Sequence, residues 1–413
     1  MRLLASIALA LLLLPAAHAT DIKLTHATIY TSPDPPPHHH PALHLHNNRI
    51  VAVGPTASIK SPLLTRKLTV YDCTGLTITA GFWNSHVHLL PPQLLHAETH
   101  TPADLNAQLQ TMFTRWGFTT VFDIASSLAN TNLIRKEIAA GTLTGPRIYT
   151  TGEPFWTEAP SYSREYLAEQ HFNIPDAKTV PQVNARVDQQ VHDGADAIKI
   201  FAGSIEGNHV VLLPADIAHA VVAEAHKDHR LVFSHPSSIK GVELSLDSGV
   251  DILAHVSTFE GPWSPALIQR MLAAHITLIP TLTLFDVEAR KGGASPADAQ
   301  KFANFAASQL HAYASAGGQI LFGTDIGYID HYDTAEEFTL MQRAGMTFPQ
   351  ILTSLTTAPA SRFNASTHSG RIAPGYDADL VVLQADPATD ITALSHIRYT
   401  LRAGKLIYSA PSH

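Results

Sequence analysis

Short apolar runs alternate along this chain with longer stretches in which apolar residues recur every three or four positions. Runs of the first kind occupy 78–83, 119–122, 147–150, 197–201, 231–234, 250–254, 276–279 and 320–324, and their length and composition read as buried strands. Stretches of the second kind read as helices. The segment 103–116 carries Leu105, Leu109 and Met112 on one face; 182–192 follows suit. In 215–228, Ile217, Val221 and Ala225 recur every fourth residue and Pro214 suits the first turn, while 296–316 is a long helical stretch before the last run. Strand and helix in regular alternation predict a parallel α/β fold.

The two ends have a different texture. Between 21 and 79 the β-rich runs 49–53 and 68–71 are punctuated by Pro and Gly, and 380–383 and 405–408 repeat the pattern. Neither end alone is large enough for a good core. The expected organisation is therefore a β-sandwich composed of 20–80 and 368–413, enclosing an α/β unit at 81–367.

The first nineteen residues belong to neither unit. Met1 and Arg2 give a positive start, 3–14 an apolar core, and Ala17-His18-Ala19 a small-residue cleavage pattern, so 1–19 reads as a signal peptide and the protein as exported, periplasmic or secreted. The apolar core falls short of the roughly 20 residues a membrane span needs, so no membrane association is expected after cleavage. Cys73 is the only cysteine, which excludes an intrachain disulfide. With 45% hydrophobic and 15% charged residues the chain can bury a sizeable core, and a formal net charge of −8 argues against a nucleic-acid partner. A small-molecule substrate is the expected partner. A homo-oligomer is left open.

The candidate chemistry sits at the ends of the predicted strands. His86 and His88 follow the run at 78–83, Lys199 lies within 197–201, His235 closes 231–234, His255 closes 250–254, and Asp325 closes 320–324. Imidazole and carboxylate suit zinc, manganese or iron, and residues two apart on a strand share a face, so His86 and His88 are able to grip one ion. Most of the 25 histidines are incidental, and His38, His39 and His40, in a Pro-rich stretch, read as a solvated loop. Eight strands with ligands at their C-terminal ends match a (β/α)₈ TIM-type barrel, whose active site lies at that face. A doubly wound sheet hosts the same alternation without gathering ligands from strands one, four, five, six and eight around one point.

This order of His-x-His, Lys, His, His and Asp resembles the amidohydrolase superfamily of metal-dependent hydrolases, its imidazolonepropionase-like and prolidase-like branches above all. The segment 369–383, Ser-Gly-Arg-Ile-Ala-Pro-Gly-Tyr-Asp-Ala-Asp-Leu-Val-Val-Leu, resembles that family's closing motif. Two departures concern the surroundings of the ligands. Asn84 stands where many members have Asp, and Phe201-Ala202-Gly203-Ser204 replaces a Gly-rich turn.

The resemblance implies a binuclear centre of two divalent ions, zinc foremost, with His86, His88 and Asp325 on one ion and His235 and His255 on the other. Lys199, which as an ammonium has no acceptor for a cation, would bridge them as a carbamate formed with carbon dioxide. Asp325 would be the catalytic proton shuttle, and the reaction hydrolysis of a C–N bond in an amide, cyclic amide or dipeptide-like molecule. The alternatives are a mononuclear cyclic-amide hydrolase or deaminase, an exported Xaa-Pro-type dipeptidase, and an exported binding protein that has lost catalysis; occupancy of all six ligand positions weighs against the last. Tyr328 and His331, past Asp325, are candidate substrate contacts, as are Tyr332 and, after the third strand, Glu153, Phe155 and Trp156. Asp123 and Glu260 end strands and read as caps or loop anchors.

Overall fold

The computed structural model describes residues 21–34, 36–39, 41–55, 68–174 and 176–411. The predicted signal peptide at 1–19 and His40 lie outside them. The N-terminal stretch supplies β1 (Asp21–Thr25), β2 (Thr28–Ile29), β3 (His38–His39), β4 (Pro41–His46), β5 (Arg49–Pro55), β6 (Leu68–Asp72) and β7 (Thr77–Ala80). Then come β8 (Phe82–Val87), β9 (Phe118–Asp123), β10 (Arg147–Thr150), β11 (Ile198–Phe201), the hairpin of β12 (Gly203–Glu206) and β13 (His209–Leu212), β14 (Val232–His235), β15 (Ile252–Leu253), β16 (Thr277–Leu278) and β17 (Gln319–Ile320). β18 (Leu380–Leu383), β19 (Ile397–Arg402) and β20 (Lys405–Ser409) complete the chain.

The two ends do pair. One sheet has the order β5-β4-β1-β6 and the other β20-β19-β18-β7-β2-β3. Side chains of both, among them Leu24, Leu43, Ile50, Ile78, Leu380 and Val382, bury one apolar cluster. β18 is buried on both faces, and its alternation is informative: Leu380 and Val382 face that cluster, while Val381 and Leu383 pack with Phe82 and Phe118 in the main core. His38 and His39, expected in a loop, are exposed but pair with Ile29 and Thr28.

The run 78–83, expected as one strand, is two. β7 pairs antiparallel with β18, whereas β8 pairs parallel with β9. The division falls at Gly81, where a Cβ would lie 2.2 Å from Thr119 Oγ1, so the backbone crosses between the two layers only with glycine there.

The middle of the chain is α/β. Parallel strands run in the orders β10-β9-β8 and β11-β14-β15-β16-β17. Backbone hydrogen bonds also join the outer strands of these sheets. Phe155 pairs with Ile200 beyond β10, and Val87 of β8 pairs with Ile326 beyond β17; Asp196 N donates to Thr150 O and Ser85 N to Phe322 O, both at 2.8 Å. Phe122, Phe233, Ile252, Ile279 and Leu321, contributed by five of these strand segments, meet in one buried cluster. The predicted helices appear as Pro102–Met112 with a following 3₁₀ turn, Val180–His192, Ala215–Lys227 and Pro296–Ser315. Pro214 proves to be the residue just ahead of its helix rather than within the first turn.

Ion pairs centred on the buried carboxylates Asp377 and Asp379 tie the closing motif to the rest. Asp377 meets Arg49 at 2.6 Å, His368 at 2.9 Å and Arg147 at 3.3 Å, while Asp379 accepts from Ala403 N. The acidic residues of 369–383 thus hold the C-terminal sheet against β10 and the β5 edge.

Candidate metal centre and cavity

Strand alternation aims the candidate ligands. Ile198 and Ile200 pack outward against Val187, Ile217 and Val221 of flanking helices, so Lys199 between them faces the other way. His235 is the last residue of β14, His255 lies just past β15, and Asp325 follows β17 on a backbone turned to φ 62°. All six candidate ligands line one cavity of about 440 Å³.

The imidazoles form a contiguous series. Ring centroids lie 5.2 Å apart for His88 and His86, 4.5 Å for His86 and His255, and 4.5 Å for His255 and His235, with Phe201 stacked 4.6 Å beyond. Asp325 Oδ1 is 2.7 Å from His88 Nε2 and 3.0 Å from His86 Nε2. Burial alone would push the Asp325 carboxyl up; the two imidazoles outweigh it and hold the group well below its usual range. Burial lowers His86 to about 4, against the pull of Asp325, and lowers His235 to about 3, with Lys199 adding to the effect. His255 is likewise held well below its ordinary value by burial and by His235. His86, His235 and His255 are thereby kept neutral at pH 7, the form that ligates metal.

The donor set fits a divalent cation. His86 Nδ1 and His88 Nδ1 are buried without a hydrogen-bond partner among the described residues, and His86 Nε2, though 3.0 Å from Asp325 Oδ1, makes no aligned hydrogen bond, a costly arrangement unless something else engages these nitrogens. One donor atom each from His86, His255 and Asp325 converge within 4.8 Å. That grouping crosses the division implied by the resemblance, which assigns His255 to the other ion. Lys199 is 1% exposed and has no ion-pair partner among the described residues; its Nζ lies 5.6 Å from the Phe201 ring, and burial lowers it to about 7 although Asp325 pulls the other way.

A second set of residues, invisible in the sequence pattern, orients the ligands. Thr281 sits at φ 48°, uncommon for a β-branched residue, and its hydroxyl donates to Pro280 O at 2.8 Å. Its oxygen therefore accepts from His255 Nδ1 at 2.7 Å, which leaves Nε2 as the bare nitrogen. Glu337, fully buried, accepts from Leu282 N and from Thr283 N and Oγ1, capping the helix Leu282–Lys291 and fixing the turn that carries Thr281. Asn84 donates to Thr324 Oγ1 at 2.7 Å while its own Oδ1 accepts from His86 N, so an amide does here what pairs β8 with the Asp325 segment. No signal in one sequence marks Thr281 or Glu337, which act from 26 and 82 residues away from His255.

The remaining sequence candidates divide. Tyr328 lines the cavity; His331 is exposed and does not. Tyr332 is partly buried beside Gln108, and Phe155 and Trp156 lie behind the wall, Trp156 against Phe201. Glu153 lines a separate cavity with Arg186 and Gln190. Asp123 is an anchor, accepting from Ser126, Thr131 and Thr150 hydroxyls, and Glu260 accepts from Lys240 N. Several cavity residues missed in the sequence come from two helices not expected there, Tyr162 and Ser163 from Tyr162–Glu169 and Phe285 and Glu288 from Leu282–Lys291, and others from β12 (Ser204, Ile205) and Pro296–Ser315 (Phe302).

Comparison with known proteins settles the class. The chain belongs to the Amidohydrolase family, whose model matches residues 77–407. It is a hydrolase acting on carbon–nitrogen bonds. The ochratoxinase of Aspergillus niger is 24% identical over 440 residues, covering 96% of this chain and 88% of that protein. Among solved structures, a Xaa-Pro dipeptidase with methionine bound in the active site superposes with a TM-score of 0.80 at 21% identity, over 94% of this chain and 100% of the other. A prolidase complexed with N-methylphosphonate-L-proline gives 0.77 at 22% identity over 94% and 100%. These neighbours are amidohydrolases of TIM-barrel type, with mixed α/β architecture like that described above.

Proposed function

We propose that the protein is an exported, metal-dependent amidohydrolase that cleaves an amide, cyclic amide or dipeptide-like C–N bond. One observation carries this reading: six side chains spread over 240 positions, from His86 to Asp325, line a single cavity at strand ends, with buried imidazole nitrogens that lack partners. In the same reading the eight parallel strands close into a (β/α)₈ barrel over 81–367, supported by the hydrogen bonds at both sheet edges, and the two terminal sheets make a composite β-sandwich of 20–80 and 368–413.

His86, His88, His235, His255 and Asp325 would hold the metal, zinc by their chemistry, at two ions per chain. Divalent cations bound there lower the pKa of water and polarise an amide carbonyl. Asp325, an ionised carboxylate beside two imidazoles, takes the proton from the attacking water and returns it to the leaving nitrogen. Lys199 in its neutral form attacks carbon dioxide, forming an N–C bond and releasing a proton, and the resulting carbamate serves as an anionic ligand. Its burial without a counter-ion supports that assignment, since an ammonium is costly there. The convergence of His86, His255 and Asp325 favours a second reading with one ion per chain.

Turnover of a panel of N-acyl amino acids, Xaa-Pro dipeptides and cyclic amides tests the activity. Hydrolysis of at least one class with release of free amine is expected. Failure across the panel by fully metal-loaded protein would contradict it.

A further inference from the structure

The cavity that holds the candidate ligands has a second character. Its walls beyond the ligands are largely apolar, formed by Leu90, Phe201, Val256, Leu284, Phe285 and Phe302, with the neutral Ser161, Ser163, Ser237 and Thr258 between them. At the mouth stand Tyr162 and Ile205, 56% and 55% exposed, so the apolar lining continues outward to solvent. Exposed apolar groups of this size beside a concave site mark a place where something apolar binds.

The polar complement is as telling. Among the described residues no arginine lines the cavity, and the only lysine is Lys199, which belongs to the ligand set. The one carboxylate besides Asp325 is Glu288, at the mouth. Tyr328 and Lys291 attend it: Lys291 Nζ lies 3.2 Å from Glu288 and 5.1 Å from the Tyr328 ring centroid, so this neighbouring cation is already engaged. Inside, Ser204 Oγ is buried and has no hydrogen-bond partner among the described residues, a neutral group with both donor and acceptor capacity facing the cavity.

We infer that the cavity selects uncharged amides with bulky aromatic or aliphatic groups, held by apolar contact and by Ser204, and that Glu288 disfavours substrates bearing a free carboxylate. A carboxylate entering the mouth would meet a like charge with no unpaired arginine or lysine among the described residues of the lining except Lys199, which the ligand set claims, whereas an aromatic ring would replace water along the lining. This inference rests on the reading of the cavity as the place of amide hydrolysis, and it narrows the substrate class within that reading.

Two matched ligands test it on metal-loaded protein: N-benzenesulfonyl-2-phenylethylamine and N-benzenesulfonyl-L-phenylalanine, which differ by one carboxylate and resist hydrolysis. Calorimetric titration should show the neutral member binding about tenfold or more tightly. In Glu288→Gln the gap should narrow severalfold, and in Ser204→Ala both affinities should fall. Equal or tighter binding of the carboxylate member by the unaltered protein overturns the inference, and does so with Lys291 as the anchor if Lys291→Ala abolishes that binding. A gap untouched by Glu288→Gln in folded protein overturns the role given to Glu288. The corresponding benzamides are assayed in parallel: selective binding without hydrolysis contradicts the proposed activity and leaves the selectivity standing, while hydrolysis of the carboxylate benzamide in preference contradicts the selectivity alone.

Discussion

At the scale of single residues, Asp325 and Thr281 have separate duties in the proposed reaction. Asp325 is a buried anion on a left-handed backbone position, 2.7 Å from one imidazole and 3.0 Å from another. Asp325→Asn keeps the shape but removes the proposed proton acceptor, so kcat should fall by several orders of magnitude while circular dichroism stays unchanged and at least one metal remains bound. Near-normal turnover of a folded variant would show that another group moves the proton. Thr281 is not among the residues that line the cavity; it fixes the tautomer of His255. Thr281→Val retains the β-branch and loses the acceptor, and metal affinity should drop roughly 10- to 100-fold, as outer partners of metal-bound histidines commonly cost. Unchanged affinity in a metal-binding titration would remove Thr281 from that role.

At the scale of elements, the helix Leu282–Lys291 is held by a carboxylate from a different helix. Burial raises Glu337 to about 7 despite the donors from Thr283 and Leu282 that oppose it. The folded protein therefore binds a proton there between the ordinary glutamate value of 4.5 and about 7, where the unfolded chain does not. Stability from this group is fully present below 4.5 and is lost as pH rises through about 7. Denaturant unfolding compared between the unaltered chain and Glu337→Gln should show the unaltered chain losing a few kcal/mol relative to the variant across that interval. Parallel curves would contradict the assignment. Elements of this kind also explain what one sequence can tell. The strands that carry His86, Lys199, His235 and His255 were legible because burial on both faces enforces continuous apolar runs, and a polar residue closing such a run stands out. Tyr162–Glu169 and Leu282–Lys291 were not, since each is short and some of its apolar side chains, Tyr162 in the first and Leu284 and Phe285 in the second, line the cavity instead of a neighbouring layer, which blurs the helical period. The break at Gly81 escaped for a similar reason: the apolar run continues unbroken while the backbone changes partners.

At the scale of the whole molecule, the chain ends come together in two sheets and the middle presents one ligand-lined cavity, with Asp377 and Asp379 joining the parts. Among the described residues no helix is long and apolar enough to cross a membrane. Export is proposed from the pattern at 1–19. N-terminal sequencing of secreted protein should begin at Thr20, and finding only uncleaved protein in the cytoplasm would remove the proposal. The proposed amide hydrolysis depends on metal held by these six side chains. Its most direct test is a titration of chelator-stripped protein with zinc in the presence of bicarbonate, following amide hydrolysis and bound metal together. The account predicts no turnover in the stripped protein and recovery that reaches its limit at two ions per chain, with Lys199→Ala holding less metal and recovering little. Full turnover by protein shown to be free of metal would contradict it.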